Sequence, residues 1–162
     1  MGLKTAGIFT LLVLSMIRVD ASWAQVFDKA AFYASMQSNN LVEINAQLKN
    51  VENSSLPDKD AFTGALLMKK AGLVMGGGNK LNLFKSGRKK LESSIHKENA
   101  NAEFRFLRLM IQEHAPSILH YQNELGNDAL LIKKNYANLP VVVQQAISHY
   151  SKESKILKPT DF

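Results

Sequence analysis

Residues 80–97, KLNLFKSGRKKLESSIHK, decide the fold class, because their apolar side chains recur at helical spacing. Lysines and serines occupy the opposite side. One side carries a stripe of apolar or small residues: Leu81, Phe84, Gly87, Leu91 and Ile95. Positions three and four apart share one face of an α-helix, and an apolar face is buried against a neighbour. The segment therefore predicts an amphipathic helix packed along that stripe.

The same periodicity recurs from Val26 to Tyr150, whereas strand-like alternation does not. Residues 76–79, GGGN, are expected to end a third helix and turn the chain, and residues 126–128, GND, to cap a sixth. The prediction is an all-α fold of about seven amphipathic helices packed as antiparallel hairpins, in either a closed bundle or an open stack.

The N-terminus has the layout of a secretory signal peptide. Lys4 precedes an apolar run over residues 5–17, and small residues follow up to Ala24. We expect cleavage after Ala24, with cleavage before Ser22 as the alternative. Residues 1–24 are then a signal peptide and the protein is exported, periplasmic or extracellular. The apolar run ends at Arg18, short of the roughly 20 residues that a membrane-spanning helix needs.

Length, charge and cysteine content bound the remainder. The chain has 162 residues, no cysteine and a formal net charge of +6. We predict one helical domain over residues 25–150, held by packing alone, and a basic flexible tail over residues 151–162. A mild positive surplus suits an anionic membrane surface, a polyanionic glycan or an acidic protein. Export argues against a nucleic-acid partner, and the oligomeric state is left open.

No motif with catalytic or cofactor chemistry is found. The glycines of residues 76–78 are followed by Asn79 and Lys80, without the hydroxyl and the preceding strand that a phosphate-binding loop needs. The four histidines include no pair four residues apart, the spacing of helical metal ligands. We therefore predict a non-enzymatic protein without a metal or cofactor.

The fifth predicted helix, residues 102–114, is apolar around most of its circumference, which predicts a central position. Arg105, Arg108 and Gln112 share its one polar stripe. A guanidinium near a core needs a partner, because an unpaired buried charge is costly. Two interpretations remain: salt bridges to a neighbouring helix, which we favour, or a groove in which the arginines take an anionic group of a ligand.

Lys85, Arg88 and Lys89 make the outer face of the fourth helix basic. Charge runs of this kind are common on solvated helix faces, which is the preferred interpretation. The functional alternative is that this face docks to an anionic surface.

Part of the chain resembles the tetratricopeptide repeat family. Gly87, Leu91, Ser94 and Ile95, with the turn at residues 98–101, resemble the second helix of such a repeat, in which small residues let paired helices approach closely. The likeness covers about one hairpin. It implies stacked helical hairpins and a partner-binding role.

Residues 61–70, AFTGALLMKK, and residues 102–116, AEFRFLRLMIQEHAP, look like segments of small exported bacterial proteins that remain uncharacterised. This similarity implies the bacterial envelope. The leading hypothesis is an exported helical module that binds a protein or peptide there. The alternative is a binder of anionic lipid or glycan surfaces that uses the basic helix face and the tail, lying on a membrane without spanning it.

Overall fold

The computed structural model describes residues 26–162, so the predicted signal peptide lies outside the described residues. Within that range the fold is all-α, as predicted, with seven α-helices and no strand. The helices are α1 Lys29–Gln37, α2 Leu41–Asn53, α3 Lys59–Leu73, α4 Gly77–Lys97, α5 Ala102–Gln112, α6 Leu125–Asn135 and α7 Val141–Tyr150. Short 3-10 turns occupy Ser117–Leu119, Tyr136–Asn138 and Pro159–Asp161.

Polar side chains fix where three of the helices begin. The carboxylate of Asp28 accepts a hydrogen bond from a backbone N–H group of α1. The amide oxygens of Asn40 and Asn101 accept hydrogen bonds from backbone N–H groups of α2 and α5. Each cap pairs an N–H group that the first helical turn leaves without an intrahelical partner.

Two predicted helix starts need correction. Residues 76–79 do not turn the chain as a unit: α4 begins at Gly77, and Gly76 alone adopts positive φ, at 86°. One left-handed residue is enough to reverse the chain, so the following glycines continue as helix. Asp128 does not cap α6, since it lies inside the first turn of that helix and is buried.

The helices α3 and α4 form an antiparallel hairpin whose backbones nearly touch. A Cβ built on Gly87 would lie 2.5 Å from the carbonyl oxygen of Gly64, and one on Gly64 would lie 2.7 Å from that of Gly87. Nothing larger than glycine fits at such a distance without a backbone shift. Gly87 thus allows the close approach expected of a small residue at its position, while the family resemblance itself stays a prediction.

Helix α5 runs through the core, which confirms its predicted central position. Phe106, Leu107 and Leu109 have no exposed surface. Helix α1 is held against α5 by Glu103, whose carboxylate accepts from Lys29 Nζ at 2.6 Å and from the Tyr33 hydroxyl at 3.0 Å. Burial, reinforced by the nearby carboxylate, raises the pKa of Tyr33.

The predicted flexible tail, residues 151–162, is instead packed against the domain. Leu157 is fully buried, and the Ser154 hydroxyl donates to Glu113 at 2.6 Å. The rings of Phe162 and Tyr136 lie 4.5 Å apart between centroids. The prediction of looseness was wrong because one buried leucine and a few specific contacts suffice to hold a short polar segment.

Candidate functional site

The two predicted binding arginines lie in a cluster of charges between α5 and α6. The guanidinium of Arg108 binds both carboxylate oxygens of Asp128 at 2.7 Å and donates to Glu92 at 2.8 Å. Arg105 donates to Asp128 at 3.1 Å and to the carbonyl oxygen of Asn99 at 2.8 and 3.1 Å. Asp128 has no exposed surface.

Every member of this cluster is paired, which determines its electrostatics. Burial works against the charged form of Arg108, but its pairing with Asp128 and Glu92 outweighs that effect and raises the pKa of Arg108. Two-pronged hydrogen bonding between an arginine and a carboxylate is among the strongest polar contacts in proteins. Of the two interpretations of Arg105 and Arg108, internal pairing is therefore the one that the structure shows. The two arginines do not line an open anion-binding groove, which corrects the alternative interpretation.

The cluster extends to the surface through one aromatic ring. The Tyr121 hydroxyl donates to Glu92 at 2.6 Å, and the guanidinium of Arg88 lies over the Tyr121 ring, 4.9 Å from its centroid. Burial and the neighbouring carboxylate of Glu92 raise the pKa of Tyr121. Arg88 therefore borders the cluster although its side chain is exposed.

The other predicted site residues do not lie together in the structure. Lys85 and Lys89 are exposed on α4 beside Arg88, and no carboxylate of the described residues lies within 4 Å of these three cations. Gln112 is buried at 1% exposure, away from solvent, and its side-chain oxygen has no hydrogen-bond partner among residues 26–162. The predicted set thus divides into a paired cluster, a basic surface and a buried amide, and does not form one site.

The structure contains an apolar groove that none of the predicted site residues lines. A cavity of about 550 Å³ lies where α1, α3, α5 and α7 end and α4 begins. Its walls are mainly apolar and rich in methionine: Met36, Met68, Met110, Leu81, Phe84 and Ile118. Ligand sites in proteins are typically concave, mostly apolar and of this size.

The mouth of the groove is unusually apolar for a surface. Ile118 is 80% exposed and Leu81 is 40% exposed, and both line the cavity. Large exposed apolar side chains gathered at one place are typical of interaction surfaces, whereas ordinary surfaces carry them singly.

A few polar groups interrupt the apolar walls. Lys69 of α3, Lys80 of α4 and Glu153, just after α7, line the groove. The hydroxyl of Tyr150 in the wall is buried and lies near the carboxylate of Glu113. Burial and the negative charges of Glu113 and Glu153 raise the pKa of Tyr150.

The sequence did not reveal which residues line this groove, because they come from five helices and a 3-10 turn. Met68 and Met110 lie in helices with ordinary core patterning, and Ile118 lies in a segment interpreted only as a turn or short helix. One signal was present: an apolar isoleucine beside Pro116, in a segment too short to bury it.

Comparison with known proteins adds no identification: no family model, no curated protein and no solved structure matches the chain. Between Val26 and Phe162, no group of three histidine, cysteine or acidic residues is placed to hold a metal ion. In that same part of the chain, no helix has both the length and the apolar character to cross a membrane.

Proposed function

We propose that this chain is a non-enzymatic binding module that holds an apolar segment of a partner protein in its groove. The observation that carries the proposal is the open apolar cavity with Ile118 and Leu81 exposed at its mouth. Exposed apolar surface has a free-energy cost in water, and an apolar occupant removes that surface from solvent.

A peptide segment fits the groove better than a simple acyl chain. Methionine side chains are unbranched and adaptable, which suits binding of varied apolar side chains. The polar groups of the groove carry both signs, with Lys69 and Lys80 on the α3 and α4 side and Glu153 after α7. A peptide can present apolar anchors flanked by charges of both signs, whereas a fatty acid brings one negative charge.

The N-terminal pattern places this activity outside the cytoplasm in our proposal. The partner would then be a protein of the bacterial envelope, met after export. The resemblance to helical repeats, which bind partners on the surfaces of stacked hairpins, supports the same role.

The test selects peptides on the groove itself. A phage-displayed library of random peptides is selected on the mature protein and counter-selected on Gly72→Phe. Gly72 lines the groove, and a Cβ built there meets nothing within 4 Å, so the phenyl ring should enter the cavity without disturbing the fold. Gly126→Phe is the matched control, because Gly126 has equal space and does not line the groove.

We expect enriched peptides with apolar anchors that bind the wild type and Gly126→Phe alike and lose at least about tenfold in affinity on Gly72→Phe. Binding by titration calorimetry decides the matter. If no enriched peptide distinguishes Gly72→Phe from Gly126→Phe, the groove is not a peptide site and the proposal fails.

A second candidate function, binding to an anionic lipid or glycan surface, is favoured by the unpaired cations Lys85, Arg88 and Lys89 on the exposed face of α4. The packed C-terminal segment also leaves Lys152, Lys155 and Lys158 exposed. Sedimentation with vesicles containing anionic lipid should show retention that falls with salt and with the triple change of Lys85, Arg88 and Lys89 to Gln. Retention that is equal for the triple variant would remove this candidate.

A further inference from the structure

Lys69 is a half-buried cation without an anionic partner. Lys69 lines the groove, and its ammonium group makes one long contact, 3.4 Å to the side-chain oxygen of Asn39, another lining residue. No carboxylate of residues 26–162 lies within 4 Å of the ammonium group. Burial lowers the pKa of Lys69, and no negative charge in the described part of the chain counteracts that effect.

Two lysines line the groove from the neighbouring helices α3 and α4. Lys80 lies in the first turn of α4 and lines the same cavity. The first turn of α4 has no side-chain cap, and the N-terminal end of a helix carries partial positive charge. The negative charges, from Glu113 and Glu153, lie near Tyr150 instead.

From this asymmetry we infer that the segment held in the groove carries a carboxylate, which Lys69 binds beside the apolar anchors. The inference rests on the proposed function and specifies its ligand: an apolar peptide segment with an acidic side chain or terminal carboxylate directed toward α3. A carboxylate at this place gives the desolvated ammonium a charge-assisted hydrogen bond.

The test uses two fluorescent probes that differ only in charge: dansylaminoundecanoic acid and its methyl ester. Both carry the same apolar chain and dansyl group, so the ester reports apolar binding and the acid adds a carboxylate. The ratio of the two dissociation constants isolates recognition of the charge. Gly72→Phe shows that both signals come from the groove.

Three variants separate charge from shape. Lys69→Met keeps the apolar stem, Lys69→Arg keeps the charge, and Lys70→Met removes an adjacent lysine of α3 that does not line the groove. We expect Lys69→Met to weaken binding of the acid about fivefold or more while the ester is unchanged. Lys69→Arg and Lys70→Met should retain the preference of the wild type for the acid.

The outcomes of this test are distinct. If the ester binds Gly72→Phe as well as it binds the wild type, the groove takes no apolar ligand and both proposals are overturned. If Gly72→Phe abolishes binding but Lys69→Met leaves the acid-to-ester ratio unchanged, the carboxylate inference alone is overturned. If Lys70→Met has the same effect as Lys69→Met, the preference reflects general positive charge, and the assignment to Lys69 is wrong.

Discussion

Two regions of the molecule differ in how far the fold supplies contacts to their side chains. They are the charged cluster between α5 and α6 and the apolar groove at the ends of α3, α5 and α7. In the cluster, Arg105 and Arg108 surround one fully buried carboxylate, and their donors are satisfied within the fold. In the groove, Lys69 has no anionic partner among residues 26–162, and Ile118 and Leu81 face solvent. The fold pairs the polar groups of the first region, whereas the second leaves a lysine and apolar side chains without such contacts.

This difference shows where to look for function in a helical protein without motifs. Charged residues attract attention in a sequence, yet buried charges are retained only when paired, so they are often used internally. A surface that binds is one whose groups are left unsatisfied by the fold. In this protein the groove leaves Ile118 and Leu81 exposed and Lys69 without an anionic partner among residues 26–162.

The largest expected effect tests whether the cluster is a closed structural unit. Asp128→Ala removes the buried carboxylate that both arginines share. Within residues 26–162 this leaves Arg108 hydrogen-bonded to Glu92 alone and takes from Arg105 its one carboxylate partner. We expect a loss of about 3–5 kcal/mol in the free energy of unfolding, measured by urea denaturation, because removing one partner of a buried ion pair leaves the other charge buried without compensation.

The matched control is Asp60→Ala, which removes an equivalent carboxylate from the pair with Lys90 on the surface of α3 and α4. The side chain of Asp60 is 55% exposed. Exposed pairs contribute less than about 1 kcal/mol, so this variant should remain close to the wild type. Equal losses in the two variants would mean that the buried cluster is no more structural than a surface pair.

The sequence predicted the helices well because their signals are local. The apolar stripe of residues 80–97 lies within a single helix, so it is visible without tertiary contacts. The central position of α5 followed from its apolar circumference in the same way. The stripe of Arg105 and Arg108 was recognised, and so was their need for partners.

What the sequence did not reveal depends on contacts between distant segments. Asp128 lies 20 residues beyond Arg108, and nothing local distinguishes it from a helix cap. The groove needs five helices to meet at one end of the molecule, and the C-terminal segment is held by the distant carboxylate of Glu113. Such arrangements are set by the packing of whole helices, which no local pattern of residues encodes.

A second prediction concerns the hairpin that forms one wall of the groove. Gly87→Ala places a Cβ 2.5 Å from the carbonyl oxygen of Gly64 and 2.8 Å from a side-chain carbon of Met68, itself a lining residue. A backbone oxygen cannot rotate aside, so the helices must separate. We expect a net loss of about 1–3 kcal/mol in thermal or urea unfolding, despite the better helix propensity of alanine.

Gly72→Ala is the control for this wall, since it lies in the same hairpin and a Cβ there meets nothing within 4 Å. The substitution should stabilise the protein by up to about 1 kcal/mol, because alanine is the better helix former. If Gly87→Ala were equally stabilising, α3 and α4 would not be in close contact, and the groove wall would be misplaced.

The smallest effect on stability is expected at the mouth of the groove, and it separates the two regions most sharply. Ile118 is 80% exposed, so Ile118→Ser should change the free energy of unfolding by no more than about 0.5 kcal/mol. The same change removes an apolar contact from the groove, and binding of the dansylaminoundecanoate ester should weaken severalfold. Leu130→Ser is the control, since Leu130 is 69% exposed and does not line the groove, and it should alter neither property. The proposal requires that Ile118 contribute to binding and not to folding. The reverse result, lost stability with unchanged binding, would make Ile118 part of the fold.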